Sequence, residues 1–127
     1  GLQADVDVLE RMTDEPGDSD RILTEAAPAV FHASWALLVD RLEPSVVCHT
    51  DLAPELRPRD LSLLGDLATA RAGELPAGWF DGWGQTMLAV APFRGHRSIV
   101  LGRNGGPEFR RSEVARLRHL AALAEAH

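Results

Sequence analysis

Apolar residues recur along this chain with two different periods, and the switches between them mark the elements. Leu2, Val6, Leu9 and Met12 fall at helical spacing and Pro16-Gly17 closes the segment, so residues 2–14 are predicted to form an amphipathic helix with an acidic outer face. A second, short helix is expected from a cap at Asp18 or Ser19. It would bury Ile22, Leu23, Ala26, Ala27 and Val30, with Pro28 ending or kinking it. The apolar run from Ser34 to Val39, the break at Asp40-Arg41 and the run from Ser45 to Thr50 together predict a β-hairpin.

After Asp51 the pattern turns helical again. Prolines 54 and 58 precede Leu61, Leu64, Leu67 and Ala68, which predicts a third helix stopping at Gly73. Residues 74–84 are rich in glycine and proline yet carry Trp79, Phe80 and Trp83, a heavy aromatic load for a connection that something must cover. Thr86 to Pro92 and Arg97 to Arg103 read as strands joined by a tight turn in which Gly95 is available for a positive backbone angle. Asn104 to Pro107 breaks the sheet, and Val114, Leu117, Leu120, Ala121 and Ala124 line one stripe of a closing helix. Neighbouring strands lie too close in sequence for βαβ crossovers. The expected fold is therefore α+β: a central antiparallel sheet of about five or six strands, with helices on both sides and the N- and C-terminal helices packed on one face.

Composition narrows the function classes. A chain of 127 residues with 45% hydrophobic and 25% charged residues suits a single globular domain over 1–127, and no unbroken apolar run is long enough to span a bilayer. Cys48 is the only cysteine, which excludes an internal disulfide or a cysteine-rich metal site and points to a reducing, cytoplasmic location. A net charge of −6 argues against direct contact with nucleic acid. The charge is polarised: residues 1–20 hold seven acids against Arg11, whereas residues 94–127 hold seven arginines against Glu108, Glu113 and Glu125. The two ends are natural neighbours in space. All 13 basic residues are arginine, tyrosine is absent and Asn104 is the only asparagine, the bias of a GC-rich bacterial genome. The chain begins with Gly1 and lacks a signal peptide, so we expect a segment of a longer signalling protein.

The last third of the chain resembles the GAF domain family of bacterial small-molecule sensors. Ser98-Ile99-Val100-Leu101-Gly102-Arg103, Asn104-Gly105-Gly106-Pro107-Glu108-Phe109 and the stretch Glu113 to Ala121 look like that family's closing strand, glycine turn, buried phenylalanine and final helix. Asp60 to Leu64 resembles its central helix, and Met87 to Pro92 its core strand. The resemblance covers nearly the whole chain and implies a GAF/PAS-like fold, with a ligand held between the sheet and residues 51–84. It departs from the family at Arg110, where a Ser or Thr cap is usual, leaving either Ser112 as a substitute or a frayed first turn. The sequence features that accompany cyclic-nucleotide or bilin binding in relatives are absent.

The candidate chemistry is sparse. Cys48 and His49 are adjacent on a predicted strand, so their side chains point to opposite faces and cannot form a dyad. His32, His49, His96, His119 and His127 show no tight metal-ligand spacing, and the absence of lysine removes a phosphate-loop reading of Gly102, Gly105 and Gly106. Asp51, Glu55, Asp60 and Asp66 read as a solvated face. Trp35, Trp79, Phe80 and Trp83 either plug a minor core or line a pocket for a flat ligand, and the resemblance favours the pocket.

No catalytic or metal site is expected, and no cofactor is indicated. The expected ligand-binding residues are Trp35, Leu37, Cys48, Leu61, Leu64, Trp79, Phe80, Trp83, Met87 and Ala89. Val6 and Leu9, with Val114, Leu117, Ala121 and Ala124, are expected to serve a homodimer that relays binding through the terminal helices to an effector domain in the same polypeptide. The expected function is a non-enzymatic sensor of an unidentified small molecule, in signal transduction or transcription regulation. The alternatives are a ligand-free dimerisation or partner-docking module, or a Cys48 thiol redox sensor.

Overall fold

A computed structural model describes residues 2–75, 77–79 and 84–127, with the main chain alone for Leu2. The elements in chain order are α1 (Leu2–Asp14), α2 (Ser19–Phe31), β1 (Trp35–Asp40), β2 (Ser45–His49), a 3-10 turn (Pro58–Leu64), β3 (Arg71–Leu75), β4 (Thr86–Phe93), β5 (Arg97–Asn104) and α3 (Arg111–Glu125). The strands form one antiparallel sheet in the order β2-β1-β5-β4-β3. Both expected hairpins are present, and β1 joins them by pairing with β5.

The sheet separates two apolar layers, as its twofold side-chain alternation requires. On one face Ala36, Leu38, Ala89, Ala91, Ile99 and Leu101 pack beneath the three α-helices. On the other, Leu37, Val39, Leu88, Val90 and Val100 pack beneath Leu61 and Leu64 of the 3-10 turn. Among the described residues, helical cover on this second face is thus a single short turn. The terminal helices do lie together: Arg116 of α3 pairs with Asp5 of α1 at 2.9 Å, which realises the charge polarity of the chain.

Two expectations are corrected. Residues 61–73 do not form one helix. The turn ends at Gly65, whose φ of +79° suits glycine, and Gly73 sits inside strand β3. Leu61 and Leu64 are three residues apart, the period of a 3-10 turn, which mimicked a longer helical stripe. Arg71-Ala72-Gly73-Glu74-Leu75 has little intrinsic strand preference, and its pairing with β4 imposes the conformation. Of the two outcomes expected at Pro28, ending or kinking α2, the first is not met: α2 continues to Phe31. The proline lies in the last turn, and the burial of Val30 and Phe31 beyond it favours helix continuation over the loss of one N–H donor.

Arginines stitch the element ends, Arg103 buried and Arg94 and Arg71 partly so. The guanidinium of Arg103 donates to the carbonyls of Phe31 at 2.6 Å and His32 at 3.1 Å, which α2 leaves unpaired at its C-terminus, and pairs with Glu113 in the first turn of α3. Its plane stacks 4.0 Å from the Phe109 ring. Arg94, in the β4-β5 turn, donates to Asp20 at 2.7 Å, Ser19 Oγ at 2.8 Å and the Ala124 carbonyl at 2.8 Å. Arg71 donates to the Asp66 carbonyl at 2.6 Å and to the Leu64 carbonyl at the end of the 3-10 turn. At the start of α3, Arg110 offers no side-chain acceptor, and Ser112 does not replace it. Instead the Glu113 carboxylate reaches back to the Arg110 main-chain N–H at 2.9 Å, half of a capping box.

Candidate functional site

The centre of the second layer is built around Trp35. Its indole crosses the sheet onto Gly102, its partner in the β1-β5 register. A β-carbon at Gly102 would lie 2.1 Å from Cε2 and Cζ2 of that ring, so the glycine is what gives the indole its seat. Trp35 is fully buried, and its Nε1 donates to Asn104 Oδ1 at 3.1 Å. The buried hydroxyl of Thr86 donates to the same oxygen at 3.5 Å and accepts the Trp79 Nε1–H at 3.2 Å. One chain of hydrogen bonds therefore links Trp35, Asn104, Thr86 and Trp79 across three elements. The two tryptophans are fixed in orientation, and the polar end of each ring is satisfied.

Space opens at the edge of this layer. An open cleft of about 800 Å³ lies beside Trp79, bounded by Leu56, Pro58 and Leu63 and by the charged groups of Glu55, Arg57 and Asp60. The Asp60 carboxylate accepts the Arg57 main-chain N–H at 2.9 Å, which holds it below the usual aspartate range, and a weaker bond from the guanidinium at 3.4 Å adds to the effect. Leu63 stands half exposed on the rim. Apolar walls, an aromatic ring and a few charged groups are the ingredients of a small-molecule site.

The structure divides the expected ligand-binding residues. Trp35, Leu37, Leu61, Leu64 and Trp79 share the second layer, where only Trp79 borders the cleft and the other four are buried packing. Met87 and Ala89 face the opposite, helical layer, because their parity along β4 is that of Ala91. Cys48 also packs toward that layer, donating to Thr24 Oγ1 at 3.5 Å. These three do not reach the cleft. Phe80 and Trp83 lie outside the described residues. Burial is the main cause pushing the Cys48 thiol above its usual range, which disfavours the nucleophilic thiolate.

The expected dimer residues divide as well. Val114, Leu117, Ala121 and Ala124 are buried in the chain's own core against the sheet, whereas Val6 is exposed and Leu9 partly so, beside a surface groove shared with Glu10, Thr13 and Asp14. Among the described residues no group of three or more His, Cys, Asp or Glu is arranged to hold a metal ion. Nor is any described helix long and apolar enough to cross a membrane.

Sequence reasoning passed over Arg103, Thr86 and Asn104. Arg103 shares the parity of Ile99 and Leu101, so an inward charge needing partners could have been read from the strand alternation. For Thr86 and Asn104 the partners are distant in sequence, and no local signal marks them.

A five-stranded antiparallel sheet in the order 2-1-5-4-3, with the terminal helices packed together on one face, defines an α+β architecture. Two solved structures have a similar fold. The GAF domain of a protein assigned as a sensor histidine kinase in Pseudomonas syringae pv. tomato superposes with a TM-score of 0.65 at 17% identity, over 97% of this chain and 81% of that one. An N-acylhomoserine lactone-dependent LuxR-family transcription factor, CepR2 from Burkholderia cenocepacia, superposes with a TM-score of 0.52 at 15% identity, over 98% of this chain and 91% of that one. No protein-family model matches the sequence, and no curated protein matches it significantly. The fold is that of a GAF domain.

Proposed function

We propose that this domain senses a small molecule in the Trp79 cleft and passes the bound state through its terminal helices to an effector domain of a longer bacterial signalling or transcription-regulatory protein, without chemical turnover. The observation that carries this reading is the cleft itself. An indole anchored by the Thr86 hydroxyl lies beside apolar side chains, on the sheet face that the three α-helices leave uncovered. The two neighbours support it, one being a GAF domain of an assigned sensor kinase and the other a regulator dependent on an acylhomoserine lactone. In this reading the domain works in the cytoplasm as a homodimer, and the partner surface is the outer face of α1 around the exposed Val6, with the partly buried Leu9 beside it.

The test is a small-molecule screen read by indole fluorescence and thermal shift, repeated on Trp79→Ala. Ligands that stabilise the parent and lose their effect in the variant support the cleft. A parent that responds to nothing, or hits that persist in Trp79→Ala, defeats it.

A ligand-free docking module is the second reading, favoured by the complete burial of Trp35, Leu37 and Val100 and near-complete burial of Leu64 and Leu88. The middle of the layer, where a GAF-like ligand is expected, is filled by the protein's own side chains. A thiol sensor at Cys48 has less support, because its half-buried site raises the thiol pKa.

A further inference from the structure

The helical layer stops short of the sheet edge. Helix α3 lies over β4 and only grazes β3, the last strand, which leaves Ala72 and Glu74 exposed on the helical face. A groove of about 440 Å³ runs between this edge and the flank of α3, floored by Ala70, Ala72 and Phe109 and walled by Arg111 and Arg118. It continues for about 220 Å³ past Ala72 to Glu74 and Glu108. An unpaired strand edge exposes a row of main-chain donors and acceptors, and β3, paired with β4 alone among the described residues, has an apolar floor and a charged wall beside it.

The wall is polarised. Among the described residues neither Arg111 nor Arg118 has an ion-pair partner, in a chain whose net charge is −6. Arg110 and Arg111 also stand at the N-terminus of α3, where the helix dipole is already positive and acidic residues are favoured. Such a local conflict is expected where a site needs positive potential. Arg111 and Arg118 are seven residues apart, about 10 Å along the helix, so both face one extended segment. The Leu75 end of β3 is acidic and the Arg71 end is basic.

We propose that β3 accepts a sixth, antiparallel strand from a partner chain, an extended segment with basic side chains toward its N-terminal side and acidic side chains toward its C-terminal side. Every pair in this sheet is antiparallel, so the added strand runs from Leu75 toward Arg71. Its basic residues then meet Glu74 and Glu108, and its acidic residues meet Arg111 and Arg118. Main-chain pairing supplies affinity and the wall supplies direction. This inference is independent of the Trp79 cleft.

The probe is a fluorescein-labelled peptide, Lys-Thr-Lys-Thr-Glu-Thr-Glu, with the reversed sequence as control and binding followed by anisotropy and amide NMR. The expected result is submillimolar binding of the forward peptide. It should shift and protect the β3 amides, weaken with added salt, and bind about tenfold better than the reversed peptide. The double variant R111E/R118E, on the solvent side of α3, should lose about tenfold for the forward peptide. Equal binding of the two peptides overturns the proposal, as does β3 amides that do not respond. Should the double variant misfold, the salt series and the reversed peptide on the parent protein still decide the matter.

Discussion

Placing a methyl group on β5 at Gly102 is the most direct way to ask whether Trp35 organises the second layer. In Gly102→Ala the new carbon would sit 2.1 Å from two ring atoms and 2.7 Å from Nε1 of Trp35. Ordinary carbon contacts are near 3.5–4.0 Å, so the indole must retreat by about 1.5 Å. It cannot do so freely, because it is fully buried and its Nε1–H is held by Asn104 at 3.1 Å. Overpacking of this kind costs about 1–3 kcal/mol, and loss of the hydrogen bond adds about 1 kcal/mol. The expected destabilisation is thus about 2–4 kcal/mol, a melting temperature lower by roughly 8–16 °C for a domain of this size. Urea unfolding followed by circular dichroism measures it. A double-mutant cycle with Trp35→Leu isolates the cause: removing the ring makes room for the methyl, so the double variant should be more stable than additivity predicts by about 1 kcal/mol or more. A cost below about 0.5 kcal/mol for Gly102→Ala, or strict additivity, would refute the seating of the indole on this glycine.

Other expectations follow from the buried charges and the thiol. Glu113 is held below the ordinary glutamate range, chiefly by the Arg103 guanidinium. A carboxylate with a depressed folded pKa contributes stability that is full above its unfolded value and fades as pH falls through the folded one. The stability gap between the parent and Glu113→Gln should therefore be widest near about pH 6 and close toward about pH 3 in urea titrations. Asp20→Asn removes the charge that receives both Arg94 and Arg97, and should cost about 2–3 kcal/mol by the same assay. Cys48 should react with iodoacetamide at neutral pH about tenfold or more slowly than a free thiol, and recover the free rate in urea. Fast alkylation of the folded protein would revive the thiol-sensor reading.

The parts of the fold visible in the sequence were those whose periodicity is local. The β1-β2 and β4-β5 segments are short apolar runs bounded by turn residues, and the stripes of α1 and α3 repeat at helical spacing, so each could be read without knowledge of its neighbours. Strand β3 could not, since its conformation comes from pairing with β4 across the 76–85 connection. The candidate site was less legible. Trp79 was singled out for its setting in a glycine-rich loop, but the assignment of Met87, Ala89 and Cys48 to the same pocket required knowing which face of each strand the ligand layer covers. Parity within a strand says which residues share a face and leaves open which layer that face meets. The inward parity of Arg103 was legible in the strand, but its carbonyl acceptors at Phe31 and His32 are about 70 residues away and carry no local signal.

The two arginine stitches have a mechanical consequence. Arg94 fastens the start of α2 to the end of α3, and Arg103 fastens the end of α2 to the start of α3. A pair of antiparallel rods pinned at both ends cannot slide, and tilting one against the other breaks several charge-assisted bonds at once. Helix α1 is pinned less firmly. It packs mainly on α2 and α3, and its polar ties among the described residues include the Asp5 pair with Arg116, a long contact between Arg11 and Glu25 at 3.9 Å, and a Thr13 to His127 contact at 3.3 Å. The helical layer thus behaves as a rigid plate carrying one hinged flap, and the amides of α1 should exchange with solvent before those of α2 and α3.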